Sequence, residues 1–573
     1  MNKNLYPFAA LITLMFLSFT TKAQNDLLLQ TSEVNNLMVH FAEDEGSLER
    51  FYVIPNTAER RDRLKSIYSD YLTQLDKLPF DNISTGGKVD YLLFKRDIES
   101  KLYQLGIEER ECNQVSKLTS PGNPIYELEK QRRRGHQLNA SEVAEQLNSV
   151  NSQLQQAILS LDKQPDMTRA LVARAKGTIL GQQKALRSVY DFYNGYDPEF
   201  TWWAAEPTKK LDSTLSKYAS LVSKKIDQAT LPKDDGSGII GFPIGRDELV
   251  RLLQYEMIPY TPEELIEIAN KEFAWCDTEL LKATKEMGFG NDWQKAQEKV
   301  KQSYVPAGKQ PDAMMDLYNQ SIAFLKEHDM ITIPPIAEES WRMIMMTPER
   351  QLINPFFTGG ETFSISYPTN TMTHEDKLMS MRGNNPHFSR ATVHHEIIAG
   401  HHLQRFMNNR YKSYRNFRTP FWTEGWALYM ELTLWDMNFP RSPEDRIGML
   451  FWRMHRCARI IFSLNYHLGK WMPQQCIDFL VDRVGFERAN AEGEVRRSFT
   501  THYGPLYQLA YMTGGLQFYA LRKELVDGDK MTMKQFHDAV MHENSMPVEM
   551  VRAILTDQPL KKNFKTSWKF YKK

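Results

Sequence analysis

Residues 143–161 read VAEQLNSVNSQLQQAILSL, and this segment shows most clearly which class of fold the chain adopts. Apolar residues recur there every three or four positions: Val143, Leu147, Val150, Leu154, Ile158 and Leu161. This spacing lines one face of an amphipathic α-helix, whose repeat is about 3.6 residues. The same spacing dominates the chain, so the sequence predicts a mainly α protein.

Two helix starts carry clear capping signals: TPEE at 261–264 and SPED at 442–445. In each, a hydroxyl side chain that can cap a helix precedes a proline, which suits the first helical position. An acid follows three residues after the cap, as in a capping box. We therefore expect helices to begin at Pro262 and Pro443.

Strand signals are confined to two short runs, 341–345 and 363–367, in which apolar residues alternate with others. Gly359 and Gly360 lie between the two runs. We expect a small β-sheet or hairpin inserted in an otherwise helical protein.

Composition excludes several classes of protein. The chain has 573 residues, of which 42% are apolar and 25% charged, which is ordinary for a globular protein. Lysine plus arginine and aspartate plus glutamate each number 71, so no basic excess indicates a nucleic-acid partner. The length favours a large body of two lobes or several domains.

The N-terminus has the features of an export signal. Lys3 precedes a short apolar run at 7–19, and small residues at 21 and 23 fit cleavage before Gln24. No cysteine stands directly after that point, so we expect no lipid anchor. No later run is apolar for 18 residues, so we expect no stable membrane insertion after cleavage. The mature protein should be periplasmic or extracellular.

Histidines are concentrated in one segment. Six of the 14 fall within 29 residues, around TVHHEIIAGHHLQ at 392–404. Its core is His395-Glu396-x-x-x-Gly400-His401, which is close to the H-E-x-x-H zinc motif but longer by two residues. The longer spacing raises the question of whether His395 and His401 can bind the same metal ion.

On an ideal helix His401 lies about 240° round from His395, on the wrong side for a common metal. His402 returns to the same face but lies about 10.5 Å further along the axis. A shared metal therefore requires a locally overwound or bulged helix, and Ala399-Gly400 is a suitable place for it. With such a bulge His401 becomes the second ligand, and we expect His402 to support a ligand or to lie in the core.

A candidate third ligand follows in TEGWA at 423–427. Its Glu-Gly-Trp-Ala is similar to the segment that supplies the third zinc ligand in aminopeptidase-N-like enzymes. This likeness implies that Glu424 binds zinc. Glu431, seven residues on and on the same helix stripe, is expected to support a ligand or to contact substrate.

Three segments together carry a family resemblance: HExxxGHHLQ from 395, TEGWALYMEL from 423 and PLYQLAYMTGG from 505. They resemble the bacterial domain of unknown function 885, a group of gluzincin-like zinc metallopeptidases. The resemblance covers most of the mature chain and is strongest over about 356–521. The family commonly has proline where this chain has Ala399.

More distantly, the chain is similar to helical two-lobed peptidases such as thimet oligopeptidase and angiotensin-converting enzyme. This implies a large two-lobed, metallopeptidase-like body with a deep central cleft. We predict a signal peptide at 1–23, an N-terminal helical lobe at 24–235 and a catalytic helical domain with the HExxxGH motif at 236–573.

The resemblance implies one Zn²⁺ per chain, held by His395, His401 and Glu424. Two imidazoles and a carboxylate suit zinc and leave a position open for water. Glu396 is then the general base, which takes the proton of that water and passes it to the leaving amine. A further hydrogen-bond donor should stabilise the oxyanion. Tyr511 is the first candidate; Arg497, His502 and Tyr503 compete with it.

The predicted function is that of an exported zinc metallopeptidase acting on short peptides. The alternatives are a non-catalytic peptide-binding protein on the same scaffold and a zinc amidohydrolase acting on cell-wall peptides. No G-x-S-x-G elbow or phosphate-binding G-x-x-x-x-G-K-[ST] loop occurs. The cleavage position and the oligomeric state stay open.

Overall fold

The computed structural model describes residues 31–351, 354–501 and 503–571. The predicted signal peptide at 1–23 and the candidate His502 lie outside these residues. The described part is mainly α-helical, with one pair of short strands. The mainly α prediction and the predicted small sheet are confirmed. The cleft between two lobes stays a prediction.

The first half of the chain contains only helices among the described residues. They are α1 (Asn35–Phe51), α2 (Ala58–Asp76), α3 (Thr85–Gln114), α4 (Ser116–Thr119), α5 (Asn123–Arg133), α6 (Ala140–Ser160), α7 (Arg169–Tyr193), α8 (Pro198–Ser223), α9 (Arg246–Tyr255) and α10 (Pro262–Glu286). Short 3₁₀ turns separate some of them.

The second half adds the sheet. Its elements are α11 (Trp293–Lys301), α12 (Gln310–Glu327), α13 (Pro335–Ser340), β1 (Arg342–Met345), α14 (Pro348–Gln351), β2 (Thr362–Ile365), α15 (His374–Gly383), α16 (Pro386–Glu396), α17 (His401–Asn408), α18 (Pro420–Asp436), α19 (Pro443–His467), α20 (Pro473–Val484), α21 (Arg488–Thr500), α22 (Tyr507–Leu525), α23 (Met533–His542) and α24 (Val548–Leu555).

The amphipathic segment that predicts the fold forms α6. Val143, Leu147, Val150 and Leu154 are buried in one core cluster, and this face packs against α8. Leu161, in the turn that follows, is also buried there. The predicted helix and its apolar face are therefore confirmed.

Both predicted helix starts are present. Thr261 caps α10 in a full capping box with Glu264, and Pro262 is the first helical residue. Ser442 caps α19 by accepting the N–H of Asp445. The Asp445 carboxylate accepts the N–H of Arg441, one residue before the cap, so this cap is not reciprocal.

The two strands pair in parallel, with Arg342 opposite Thr362 and Met345 opposite Ile365. A hairpin would make them antiparallel, so that alternative is wrong. The physical reason is the connection, which contains α14 and returns the chain to the start of the sheet. Alternation of side chains reveals a strand but not the direction of its partner.

The chain divides into two compact units. The smaller unit comprises Asn36–Pro79 and Leu93–Lys233. The larger unit comprises the described residues up to Asn35, Phe80–Leu92 and the described residues from Asp234 onward, and it carries every candidate site residue named above that the structure describes. No helix in the described ranges is both long and apolar enough to cross a membrane.

Helices α18 and α22 pack at unusually close range in the larger unit. A Cβ on Gly425 of α18 would lie 2.6 Å from the Cα of Gly514 on α22. A Cβ on Gly514 would lie 2.0 Å from the carbonyl oxygen of Phe421. Backbone meets backbone here, so neither position has room for a side chain.

Gly514→Ala should therefore lower the free energy of unfolding by about 2 kcal/mol or more, since the two backbones must separate. Gly86→Ala is the matched control, because it is also a helical glycine of the larger unit and a Cβ there meets nothing closer than 3.5 Å. The control should gain up to about 1 kcal/mol from helix propensity. Calorimetric unfolding of both variants checks this; equal midpoints would contradict it.

Candidate metal centre

The helix that carries His395 ends directly after it. Helix α16 stops at Glu396, and α17 begins at His401. The sequence predicts a bulged or overwound helix at Ala399-Gly400, whereas the structure interrupts the helix altogether. The physical reason is the six-residue spacing, since a position about 240° round the helix is about 120° out of alignment, more than one bulged turn corrects.

Polar contacts fix the interruption. The carbonyl oxygen of Glu396 accepts the N–H of Gly360 at 3.1 Å, and that of Ala399 accepts the indole N–H of Trp426 at 2.8 Å. A Cβ on Gly400 would lie 1.7 Å from the carbonyl oxygen of His395, so only glycine fits. The backbone groups freed by the broken helix thus find partners.

The interruption brings both imidazoles to one place. The rings of His395 and His401 lie with their centroids 4.8 Å apart. Their Nε2 atoms are 3.4 and 3.2 Å, respectively, from Oε2 of Glu424 on α18. Candidate ligand atoms of His395, Glu396 and His401 also lie within 4.8 Å of one another. All four motif residues therefore meet.

Hydrogen bonds on the far side of each ring assign its tautomer. Nδ1 of His395 lies 2.7 Å from Oε1 of Glu431, and a carboxylate only accepts, so this Nδ1 carries hydrogen. Nδ1 of His401 lies 3.0 Å from Oε1 of Gln404, whose amide donates to the carbonyl of Thr423. In the neutral rings, both Nε2 atoms therefore present lone pairs to Glu424.

The donor set fits a metal ion. Oε2 of Glu424 is buried and has no hydrogen-bond partner in the described part of the chain. Two imidazole lone pairs and one carboxylate oxygen thus converge, a set that suits Zn²⁺. The hydrogen bonds that the imidazoles donate to Glu431 and Gln404 are of the kind that orients metal-ligating histidines in proteins.

The two carboxylates of the centre differ in their pKa. Burial raises the pKa of Glu424, but attraction to the protonated forms of His401 and His395 outweighs it and holds the pKa well below its usual range. Burial raises the pKa of Glu396, and the nearby histidines offset only part of this rise. One carboxylate is thus kept ionised, while the other takes up a proton more readily.

Tyr507 is a residue of the centre that the sequence reasoning misses. Its hydroxyl donates to Oε1 of Glu424, the oxygen that does not face the histidines. It belongs to the PLYQLAY segment, in which Tyr511 drew attention instead. The sequence contains no signal for it, because its partner Glu424 lies 83 residues earlier in the chain.

Tyr511 is buried behind His395. The two rings are nearly parallel, with an interplanar angle of 14° and centroids 6.0 Å apart. The guanidinium carbons of Arg456 and Arg459 lie 4.7 and 4.3 Å from the centre of the Tyr511 ring. Burial, with a contribution from Glu424, raises the pKa of Tyr511 to about 12, so its hydroxyl stays a donor.

Of the other predicted residues, Glu431 contacts a candidate ligand directly and the rest do not. Glu431 contacts His395 directly, as described above. His402 is buried and faces away, with Nε2 2.6 Å from the carbonyl oxygen of Ala337. Arg497 lies over the ring of Tyr503, which contacts the ring of Tyr507. Arg497 and Tyr503 are thus connected to the centre through Tyr507.

Most of the chain matches one family of bacterial proteins. The model of a family described as a bacterial protein of unknown function (DUF885) matches residues 54–555. The chain belongs to this family. The part of the resemblance that concerns the DUF885 family is thereby confirmed. No curated protein matches the chain.

Solved structures similar to this DUF885 chain include two that are described as putative lipoproteins. A putative lipoprotein of unknown function from Shewanella oneidensis is 16% identical and has a TM-score of 0.64, covering 92% of this chain and 100% of its own. A putative lipoprotein from Colwellia psychrerythraea is 17% identical, with a TM-score of 0.49 and coverages of 74% and 77%. The first likeness shows a shared fold.

A cavity of about 750 Å³ opens beside the centre of this family member. His401, Glu424 and Tyr507 form part of its wall, as do Gly359 and Gly360. The cavity has the size of sites that hold small ligands. A ligand in it would lie against the converging lone pairs.

Removing the outer contact of His395 should weaken metal binding. Glu431→Gln should raise the dissociation constant for Zn²⁺ about ten- to a hundredfold, because the imidazole loses the carboxylate that orients it. Glu327→Gln, at an exposed position, is the control. Competition with a chromophoric chelator measures both, and equal constants for the two variants would contradict the assignment.

Proposed function

We propose that the protein is an exported, zinc-dependent peptidase that hydrolyses short peptides, using Glu396 as general base. The observation that carries this proposal is the convergence of three lone-pair atoms, His395 Nε2, His401 Nε2 and Glu424 Oε2, with no hydrogen bond between them. The family resemblance of the motifs also supports the proposal.

Bound zinc would polarise a carbonyl group and lower the pKa of a water molecule. Glu396 is next to a ligand in sequence, lies within the same group of atoms and is only partly buried. In this position its carboxylate takes the proton of the attacking water and later gives it to the leaving amine. The raised pKa of Glu396 suits both transfers.

The tyrosines divide two further roles between them. Tyr507 has one hydroxyl hydrogen, which goes to Glu424, so it holds that ligand in place. Tyr511, behind His395, is then the donor that we assign to the developing oxyanion.

Export is supported by the charged and apolar pattern of residues 1–23. The structure of similar fold from Shewanella oneidensis is described as a putative lipoprotein, which is consistent with export. We place the protein in the periplasm or outside the cell.

Metal removal and loss of the base give the direct test. Purified protein should contain about one zinc per chain, and chelation should abolish hydrolysis of a mixed peptide library until zinc is restored. Glu396→Gln should lower kcat by about 10²–10⁴-fold while zinc content is retained. Glu375→Gln, at an exposed position on α15, should behave like the unchanged protein.

Hydrolysis that resists chelation, or full activity of Glu396→Gln, would overturn the proposal. Peptide binding without turnover in every form would instead favour the binding-protein alternative. Preferential hydrolysis of muropeptides would favour the amidohydrolase alternative.

Tyr511→Phe tests the oxyanion donor separately. It should lower kcat about a hundredfold or more, with little change in zinc content, because the donor acts on charge that develops in the transition state. Tyr429→Phe is the control, since this buried tyrosine contacts His537 and not the metal ligands. A kcat of the Tyr511 variant equal to that of the control would exclude the role.

A further inference from the structure

The charged side chains around the cavity are mostly basic. Arg405, Arg415 and Arg418 line it, and the acids among its lining residues are Glu256 and the metal-site Glu424. The cavity thus presents three guanidinium groups at the edge of the metal centre. Their partners decide which of them are available to a ligand.

Arg415 is fully engaged within the protein. It is buried, its Nε donates to Oδ1 of Asp90 at 2.7 Å, and its Nη1 pairs with the carboxylate of Glu543. Both acids are held by this arginine, so the charge of Arg415 is compensated. It forms part of the wall rather than a ligand contact.

Arg405 and Arg418 differ from Arg415. Both are exposed, and neither side chain forms a hydrogen bond or ion pair with any residue in the described ranges. The acid nearby in the lining, Glu256, accepts the hydroxyl hydrogen of Thr419 at 2.6 Å. Two uncompensated guanidinium groups therefore face a cavity that also contains metal-site residues.

Arg405 is placed next to the reaction centre. It lies four residues after His401 on α17, on the same helix face and about 6 Å further along the axis. Its Nη1 is 3.8 Å from the position that a Cβ on Gly360 would take. Gly360 in turn donates to the backbone of Glu396.

Three other arginines of the larger unit are paired within the protein. Arg382 pairs with Glu298 and Glu487, and Arg390 pairs with Asp445. Arg497 is buried beside Glu494. None of the three belongs to the lining of the cavity.

We propose that Arg405, assisted by Arg418, binds a carboxylate group of the peptide substrate and so sets the specificity of the site. This inference rests on the proposed peptidase function. Guanidinium groups recognise carboxylates through paired, charge-assisted hydrogen bonds. A peptide advances about 3.3–3.6 Å per residue, so the carboxylate lies within about two or three residues of the bond that is cleaved.

The carboxylate has two possible sources, the C-terminus of the peptide and an acidic side chain near the cleaved bond. Two matched pairs of peptides distinguish them. The first pair is acetyl-tetraalanine with a free C-terminal carboxylate and the same peptide as its amide. The second pair is an acetylated, amidated alanine peptide that contains one glutamate or, in its place, one glutamine.

For the unchanged protein, kcat/KM should be about tenfold or more higher for the charged member of one pair. Arg405→Gln should bring the ratio within that pair close to one, and Arg418→Gln should lower it less. Arg405→Lys should restore part of the ratio, because a charge without the guanidinium fork binds less specifically. Arg410→Gln is the control, since Arg410 is exposed just after α17 and lies over Phe406, outside the lining.

Binding measured by calorimetry with the Glu396→Gln variant separates this inference from the proposed function. Tighter binding of the charged peptide, lost in the Glu396→Gln/Arg405→Gln double variant, supports the subsite even if the unchanged protein hydrolyses nothing. Hydrolysis by the unchanged protein with equal kcat/KM and equal affinity within both pairs would overturn the subsite and leave the peptidase function standing. A charge preference that Arg410→Gln abolishes as strongly as Arg405→Gln would overturn it as well.

Discussion

Three lone-pair atoms that face one another in a buried space impose the main requirement on the packing around the candidate metal centre. Such atoms repel, and burial makes an uncompensated polar group costly. The protein therefore has to hold them from behind. Glu431, Gln404 and Tyr507 do so, each through a hydrogen bond to the side of one candidate ligand that points away from the other two. The interrupted helix and the close packing of α18 on α22 serve the same arrangement.

Much of the fold follows from local patterns in the sequence. The stripe that begins at Val143 and the cap at Thr261 depend on neighbours within a few residues, so the helices they predict are present. The direction of the strand pair was not predictable in this way. It depends on where the connection around α14 returns the chain, which no alternation of side chains encodes.

The candidate site shows the same division. The two histidines could be paired as candidate ligands because a shared metal at their six-residue spacing requires a deformed helix, and Gly400 supplies the backbone that permits it. Tyr507 and Arg405 could not be selected from the sequence. Tyr507 matters because it contacts Glu424, which is distant along the chain, and Arg405 matters because its side chain has no partner among the described residues. An arginine that is paired and one that is free look identical in a sequence, as Arg415 and Arg405 illustrate.

The glycine contact between α18 and α22 has a consequence for the site itself. Glu424 precedes Gly425 directly, and its hydroxyl donor Tyr507 lies two turns before Gly514 on the facing helix. The interaxial distance at this crossing therefore also sets the span of the Glu424–Tyr507 hydrogen bond. One added methyl group at Gly425 or Gly514 would push the helices apart and stretch that hydrogen bond. Substitution of these two glycines is therefore restricted by the geometry of Glu424 as well as by packing.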